Sequence, residues 1–196
     1  MLPVKYKKKG GMTMPQQYQV ALIGNKTIRR PFMVQLKLIE VINSLIAVHP
    51  NITFFVGVGS GFGEMAAAVC GSVSKKHGKK NYPVRMILPG IPKKIAEHPK
   101  LEEDFYKDCY VPLEAMQVHP MMAVHKRNQW MVDNCHLLIG YAENDSAFAA
   151  TAFRRAKEKN LPVINLYTLM YGQNMQTRKQ YQIQQSESAG KEYNSF

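Results

Sequence analysis

Apolar residues in this chain fall into short continuous runs, separated by longer stretches with helical spacing. "YQVALIG" (18–24), "NITFFVGV" (51–58), "YPVRMILPG" (82–90), "HLLIGYA" (136–142) and "LPVINLY" (161–167) read as strands buried on both faces. "CYVPLE" (109–114) adds a brief one. Between them, "PFMVQLKLIEVINSLIAVH" sets Phe32, Leu36, Ile39, Ile42, Leu45 and Ile46 on one helical face, with Pro31 suited to the first turn. "EMAAAVCGSVSKKH" (64–77) is helical by its alanines, and its cations come last, where the helix dipole favours them. Residues 120–135 and 146–160 predict two more helices, and 91–108 a polar connection with a short helix at "LEEDFYKD". Such alternation specifies a parallel sheet covered on both faces. Right-handed crossovers make it an α/β, Rossmann-like doubly wound fold in a single domain. Residues 1–17 then read as a flexible basic arm, 18–168 as the folded domain and 169–196 as a flexible Gln- and Ser-rich tail. Met12 and Met14 are alternative starts to Met1.

Composition narrows the class. The 196 residues are 45% hydrophobic and 20% charged, ordinary for a soluble domain with one core. The expectation is that no apolar run reaches the ~18 residues needed to span a bilayer, so no membrane partner is foreseen. The basic start has no apolar segment behind it, and Cys70, Cys109 and Cys135 are odd in number and scattered. Both features fit a reducing, cytoplasmic setting with unpaired thiols. His119 and His125 lack metal-ligand spacing, so neither metal nor cofactor is expected. The net charge of +12 gathers at Lys5 to Lys9, at Lys26, Arg29 and Arg30, and between Ser74 and Lys80. An excess of this size either serves solubility or points to an anionic partner such as a nucleotide or nucleic acid.

Ligands of doubly wound sheets gather outside the carboxyl ends of the strands. There the second strand-to-helix turn holds Gly57, Gly59, Gly61 and Gly63. Their spacing fits neither G-x-G-x-x-G nor a GxxxxGK[ST] loop. Two readings stay open: a tight turn with close helix packing, or backbone amides of Gly59, Ser60, Gly61, Phe62 and Gly63 offered to a phosphate. Glu64 is either a first-turn acid matched to the dipole or an acceptor for a sugar or base. Arg127 and Asn128 form a solvated helix face, or else supply a planar fork and an amide to the ligand, with Asp133 close to the next strand. Asn144, Asp145 and Ser146 can cap the following helix and offer N–H groups to a ligand, so Asn144 and Ser146 join the candidate binding residues.

These pieces, in this order, resemble the SLOG superfamily of Smf/DprA and LOG proteins, most closely its YpsA-like bacterial and phage branch. The resemblance rests on "IGNKTIRRP", "FFVGVGSGFGEMAAAV", "VRMILPG" and above all "KRNQWMVDNCHLLIGY", and covers roughly residues 18–167. It implies a Rossmann-like fold, a nucleotide or nucleotide-derived ligand, and homo-oligomers paired through helices beside the site. By the same resemblance Gly59, Gly61 and Gly63 match the phosphate turn, and Glu64 replaces a usual Asp. Arg127, Asn128 and Asp133 match the second polar cluster, and Lys26 falls near a basic position. Gly24, at the end of the first strand, and Pro89, at the end of the third, complete the candidate set.

The second glycine loop of the phosphoribohydrolase branch, P-G-G-x-G-T-x-x-E, is replaced here by "AENDSAFAATAFRR". The leading expectation is therefore non-catalytic binding or sensing of a nucleotide-derived ligand. One alternative is N-glycosidic hydrolysis of a nucleoside 5′-monophosphate, with Glu64, Asp133 or Asp145 stabilising an oxocarbenium-like centre. The other is DprA-like binding of single-stranded DNA, for which Trp130 and Tyr82 are the nearest stacking platforms.

Overall fold

The computed structural model describes residues 17–93, 108–143 and 148–172. Its six strands are β1 (Tyr18–Gly24), β2 (Ile52–Gly57), β3 (Val84–Ile87), β4 (Cys109–Tyr110), β5 (Leu137–Tyr141) and β6 (Val163–Asn165). They form one sheet, in the order β4-β3-β2-β1-β5-β6, and every pairing is parallel. The helices are α1 (Pro31–Val48), α2 (Gly61–His77), α3 (Leu113–Met116), α4 (Pro120–Asp133) and α5 (Phe148–Glu158). Residues 166–172 are helical as well, so regular structure runs past the end of the last strand. This is the α/β doubly wound architecture that the apolar pattern specifies. The short helix expected at "LEEDFYKD", and Asn144, Asp145 and Ser146, lie outside the described residues, apart from Asp108.

Alternation along the central strands builds a core on each face. Val20 and Leu22 of β1, Ile52, Phe54 and Val56 of β2, and Leu137, Ile139 and Tyr141 of β5 join α1 and α2 on one side. Ala21, Ile23, Phe55 and Leu138 join Met131 and Val132 of α4 and Ala149, Ala152 and Ala156 of α5 on the other. The register places Val20 between Phe54 and Leu137, so the three central strands stack their large side chains in one layer.

Helix α1 departs from the sequence reading in two ways. Its buried stripe is Val34, Leu38 and Ile42, whereas Phe32 is 67% and Leu36 45% exposed. It is also long and apolar enough, by length and composition, to cross a membrane, contrary to the expectation that no run is. In this fold its buried stripe packs against the sheet.

The glycine turn is mostly helix. Ser60 is the N-cap of α2, its Oγ accepting from Gly63 N–H at 2.9 Å, so Gly61 and Gly63 lie in the first helical turn. A Cβ on Gly63 would lie 2.1 Å from Gly57 O, one on Gly61 2.4 Å from Lys26 O, and one on Gly24 2.4 Å from the buried Phe62 ring. Missing side chains thus let α2 enter against the ends of β1 and β2. Gly71, inside α2, has nothing within 4 Å of such a Cβ. Gly63→Ala is expected to destabilise the protein by roughly 2–3 kcal/mol through backbone overpacking. Gly71→Ala should stabilise it by about 0.5–1 kcal/mol through helix propensity. Urea denaturation midpoints of the two variants check the contrast, which disappears if the α2 entry is loosely packed.

Candidate functional site

Strand order reverses direction between β1 and β5, which makes their carboxyl ends the topological switch point. A cleft of about 750 Å³ opens there. Its walls come from the β1–α1 connection (Asn25, Lys26, Arg29), the β2–α2 turn (Gly59, Ser60), α4 (Met121, Val124, Arg127, Asn128) and Glu143. That volume is within the range of small-molecule sites.

Arg127 is the polar anchor. It is 4% and Asn128 3% exposed, so the solvated-face reading of this pair is corrected. The guanidinium closes the ends of two strands: Nη1 donates to Val58 O at 2.7 Å and to Ile87 O at 3.1 Å. Nε donates to Asn128 Oδ1 at 3.0 Å. Gly57 makes room for it, since a Cβ there would lie 3.3 Å from Arg127 Cζ. Among the described residues no carboxylate pairs with Arg127, and Nη2 makes no hydrogen bond. Burial pulls its pKa down to about 10. A buried cation neutralised only by carbonyl dipoles favours an incoming anion.

The amides of the glycine turn are less available than the sequence suggests. Gly61 N–H donates to Lys26 O at 3.1 Å, Phe62 N–H to Asn25 O at 3.3 Å and Glu64 N–H to Ser60 O at 3.0 Å. With Gly63 N–H held by Ser60 Oγ, the first-turn donors of α2 are satisfied internally. Gly61, Phe62 and Gly63 therefore act as packing residues beneath the cleft. Gly59, at φ 89° and exposed, and Ser60 line the cleft, and their N–H groups donate to nothing among the described residues.

Of the remaining candidates, Gly24 and Lys26 line the cleft, whereas Pro89 and Glu64 do not. Glu64 is exposed on α2. Asp133 is corrected from a site residue to a tie between α4 and α5: its Oδ1 accepts from Arg155 Nε at 2.9 Å and from Lys159 Nζ at 2.7 Å. It lies six residues beyond Arg127 on a helix, roughly 9 Å further along the axis and on another face. Trp130 is half-buried against the Phe55 and Tyr110 rings, and Tyr82 is buried, and neither lines the cleft. No group of three or more metal-ligating side chains occurs among the described residues.

Sequence reasoning missed Glu143. Its Oε1 accepts from Tyr141 O–H at 2.8 Å, and its Oε2 pairs with Arg29 Nε at 3.0 Å, joining the end of β5 to the β1–α1 connection. Burial, reinforced by Glu143, pushes the Tyr141 phenol far up, so it stays a donor. The available signal was position: Glu143 is the first carboxylate after β5, directly before the residues singled out as caps.

Fold and site together define a doubly wound α/β protein with a cation-lined cleft at its switch point. No family model and no curated protein matches the chain. Among solved structures it is similar to DNA processing protein A (DprA) from Streptococcus pneumoniae, with a TM-score of 0.49 and 16% identity over 76% of this chain and 50% of that one. It is similar in the same degree to DNA processing protein A from Helicobacter pylori, described for its single-stranded DNA binding mode, with a TM-score of 0.49 and 14% identity over 74% of this chain and 63% of that one. The chain spans less than two thirds of the length of either.

Asp133 yields a pH prediction. Burial works to raise its pKa, but the hydrogen bonds from Arg155 and Lys159 outweigh it and hold the carboxyl below its ordinary value. Its contribution is present at neutral pH and lost as pH falls through that lowered pKa. Because the cluster is partly exposed, Asp133→Asn should cost less than about 1 kcal/mol at pH 7. Its denaturation curve should merge with the parent's in acid, below the carboxylate range. A deficit unchanged down to that pH would mean the carboxylate charge contributes nothing.

Proposed function

We propose that the cleft binds the phosphate-bearing unit of a nucleotide without catalysing its turnover. The observation carrying this reading is the buried Arg127 guanidinium in the cleft wall, which among the described residues has no carboxylate partner, beside the N–H groups of Gly59 and Ser60, uncommitted among the same residues. Lys26 and Arg29 supply further cations on the facing connection. An anion seated here recovers charge compensation that the carbonyls of Val58 and Ile87 provide only in part. Pro120, Met121, Val124 and Ala149 give the same cleft an apolar wall suited to the face of a base. Of the carboxylates expected for N-glycosidic hydrolysis, Glu64 and Asp133 stand away from the cleft and Asp145 lies outside the described residues. Glu143, which does line the cleft, is engaged by Tyr141 and Arg29, which favours binding over turnover. On this reading the chain is a ligand-binding relative of the YpsA-like branch of the SLOG superfamily, acting in the cytoplasm and as a homo-oligomer.

A second reading is favoured by the net charge of +12: the phosphate held at Arg127 belongs to a single nucleic-acid strand, whose neighbouring phosphates run over the basic surface.

Calorimetric titration with nucleoside mono- and diphosphates and with an oligo-dT strand tests both. A free-nucleotide site binds in the micromolar range, with weak salt dependence and a ligand-dependent rise in melting temperature. Strand binding gives a steep fall in affinity between low and physiological salt. Arg127→Met should weaken either by at least about 10-fold. Full binding by a folded Arg127→Met protein, or no binding by the parent, contradicts the proposal.

A further inference from the structure

We infer that Asn25 and Glu143 form an acceptor pair that recognises the sugar hydroxyls of the ligand, so that the cleft selects ribonucleotides over their dideoxy counterparts. This rests on the nucleotide-binding reading of the same cleft and goes beyond it by naming the sugar.

Asn25 is held firmly by its main chain, and among the described residues its side chain makes no hydrogen bond. Its N–H donates to Tyr141 O at 2.9 Å and its carbonyl accepts from Phe62 N–H at 3.3 Å, which fixes it between the end of β5 and the start of α2. Its side-chain Oδ1 is buried without a hydrogen-bond partner, one of two such atoms among the described residues, and the residue lines the cleft. A buried unpaired acceptor is costly and uncommon in a folded protein. Because no side-chain hydrogen bond has to break, a torsional turn of the carboxamide brings Oδ1 to a ligand. Tyr171 O–H, the other such atom, does not line the cleft.

Glu143 adds the second acceptor, two residues beyond the Tyr141 carbonyl that holds Asn25. Its side chain is 17% exposed, and each carboxylate oxygen carries one protein contact, to Tyr141 and to Arg29. A carboxylate accepts about four hydrogen bonds, so it has capacity left. Within one cleft Arg127 offers donors from the ends of β2 and β3, and Asn25 and Glu143 offer acceptors from the ends of β1 and β5, with Lys26 and Arg29 beside them. Arg127 is bonded at the ends of β2 and β3, with Gly59 and Ser60 beside it. Asn25 follows β1 directly and bonds the end of β5 through Tyr141 O, where Glu143 also lies, so both acceptors stand on the β1–β5 side of the switch point. A phosphate needs donors and a vicinal diol needs acceptors. A ribose 5′-phosphate presents both in one rigid unit.

The test titrates AMP and 2′,3′-dideoxy-AMP into the full chain, its Asn25→Ala and Asn25→Ser variants, and Glu143→Gln. The parent should bind AMP at least about 10-fold more tightly than the dideoxy analogue. Asn25→Ala should reduce that preference to within about threefold and leave dideoxy-AMP affinity unchanged. Unliganded Asn25→Ala should melt no lower than the parent, because it removes an unpaired buried acceptor; a merely structural Asn25 would lower the melting temperature. Asn25→Ser repeats the comparison with a smaller acceptor, and Glu143→Gln should show a partial loss of preference. Equal affinity of the parent for the two nucleotides overturns the sugar assignment while the phosphate reading stands. Failure of both to bind overturns the phosphate reading and this inference with it.

Discussion

The entry of α2 against the carboxyl ends of β1 and β2 is the constraint on which the rest of the structure depends. Three positions without side chains permit it: Gly24 under the Phe62 ring, Gly61 on Lys26 O and Gly63 on Gly57 O. The close approach converts the first-turn amides of α2 into internal donors to the β1–α1 connection and to Ser60. In doing so it fixes Asn25 and Lys26 at the edge of the cleft. The glycines thus shape the site by packing, and the exposed amides of the turn reduce to Gly59 and Ser60.

Arg127 joins structure to chemistry. Its bonds to Val58 O and Ile87 O tie β2 to β3 at their carboxyl ends, which any long donor with that reach would do. A residue needed only for this tie would gain from a carboxylate neighbour, since desolvation already lowers its pKa to about 10. Two carboxylates that follow it in the chain are committed elsewhere: Asp133 to Arg155 and Lys159, and Glu143 to Arg29 and Tyr141. The protein keeps a buried positive charge beside an open cleft, and both of these carboxylates pair with other cations.

Legibility differed from element to element for physical reasons. The strands were readable because a strand buried on both faces leaves an uninterrupted apolar run, as "VALI" and "ITFFV" do. The stripe of α1 was misread because that helix is apolar nearly all round, so two stripes share Ile42 and compete. Only docking on the sheet chose Val34 and Leu38 over Phe32 and Leu36. Asp133 looked like part of the site because it shares a motif with Arg127, yet six residues of helix turn it away toward α5.

The sequence by itself determined the parallel, doubly wound sheet, and it singled out Arg127, Asn128 and the glycine turn as candidates. Periodicity and steric freedom are local properties, written one residue at a time. Tertiary structure decided what each of those residues does. Whether an amide is free or taken, whether a cation meets a carboxylate or only carbonyls, and whether Asn25 finds a partner all depend on groups distant in sequence, at separations of a few ångströms that no spacing rule encodes.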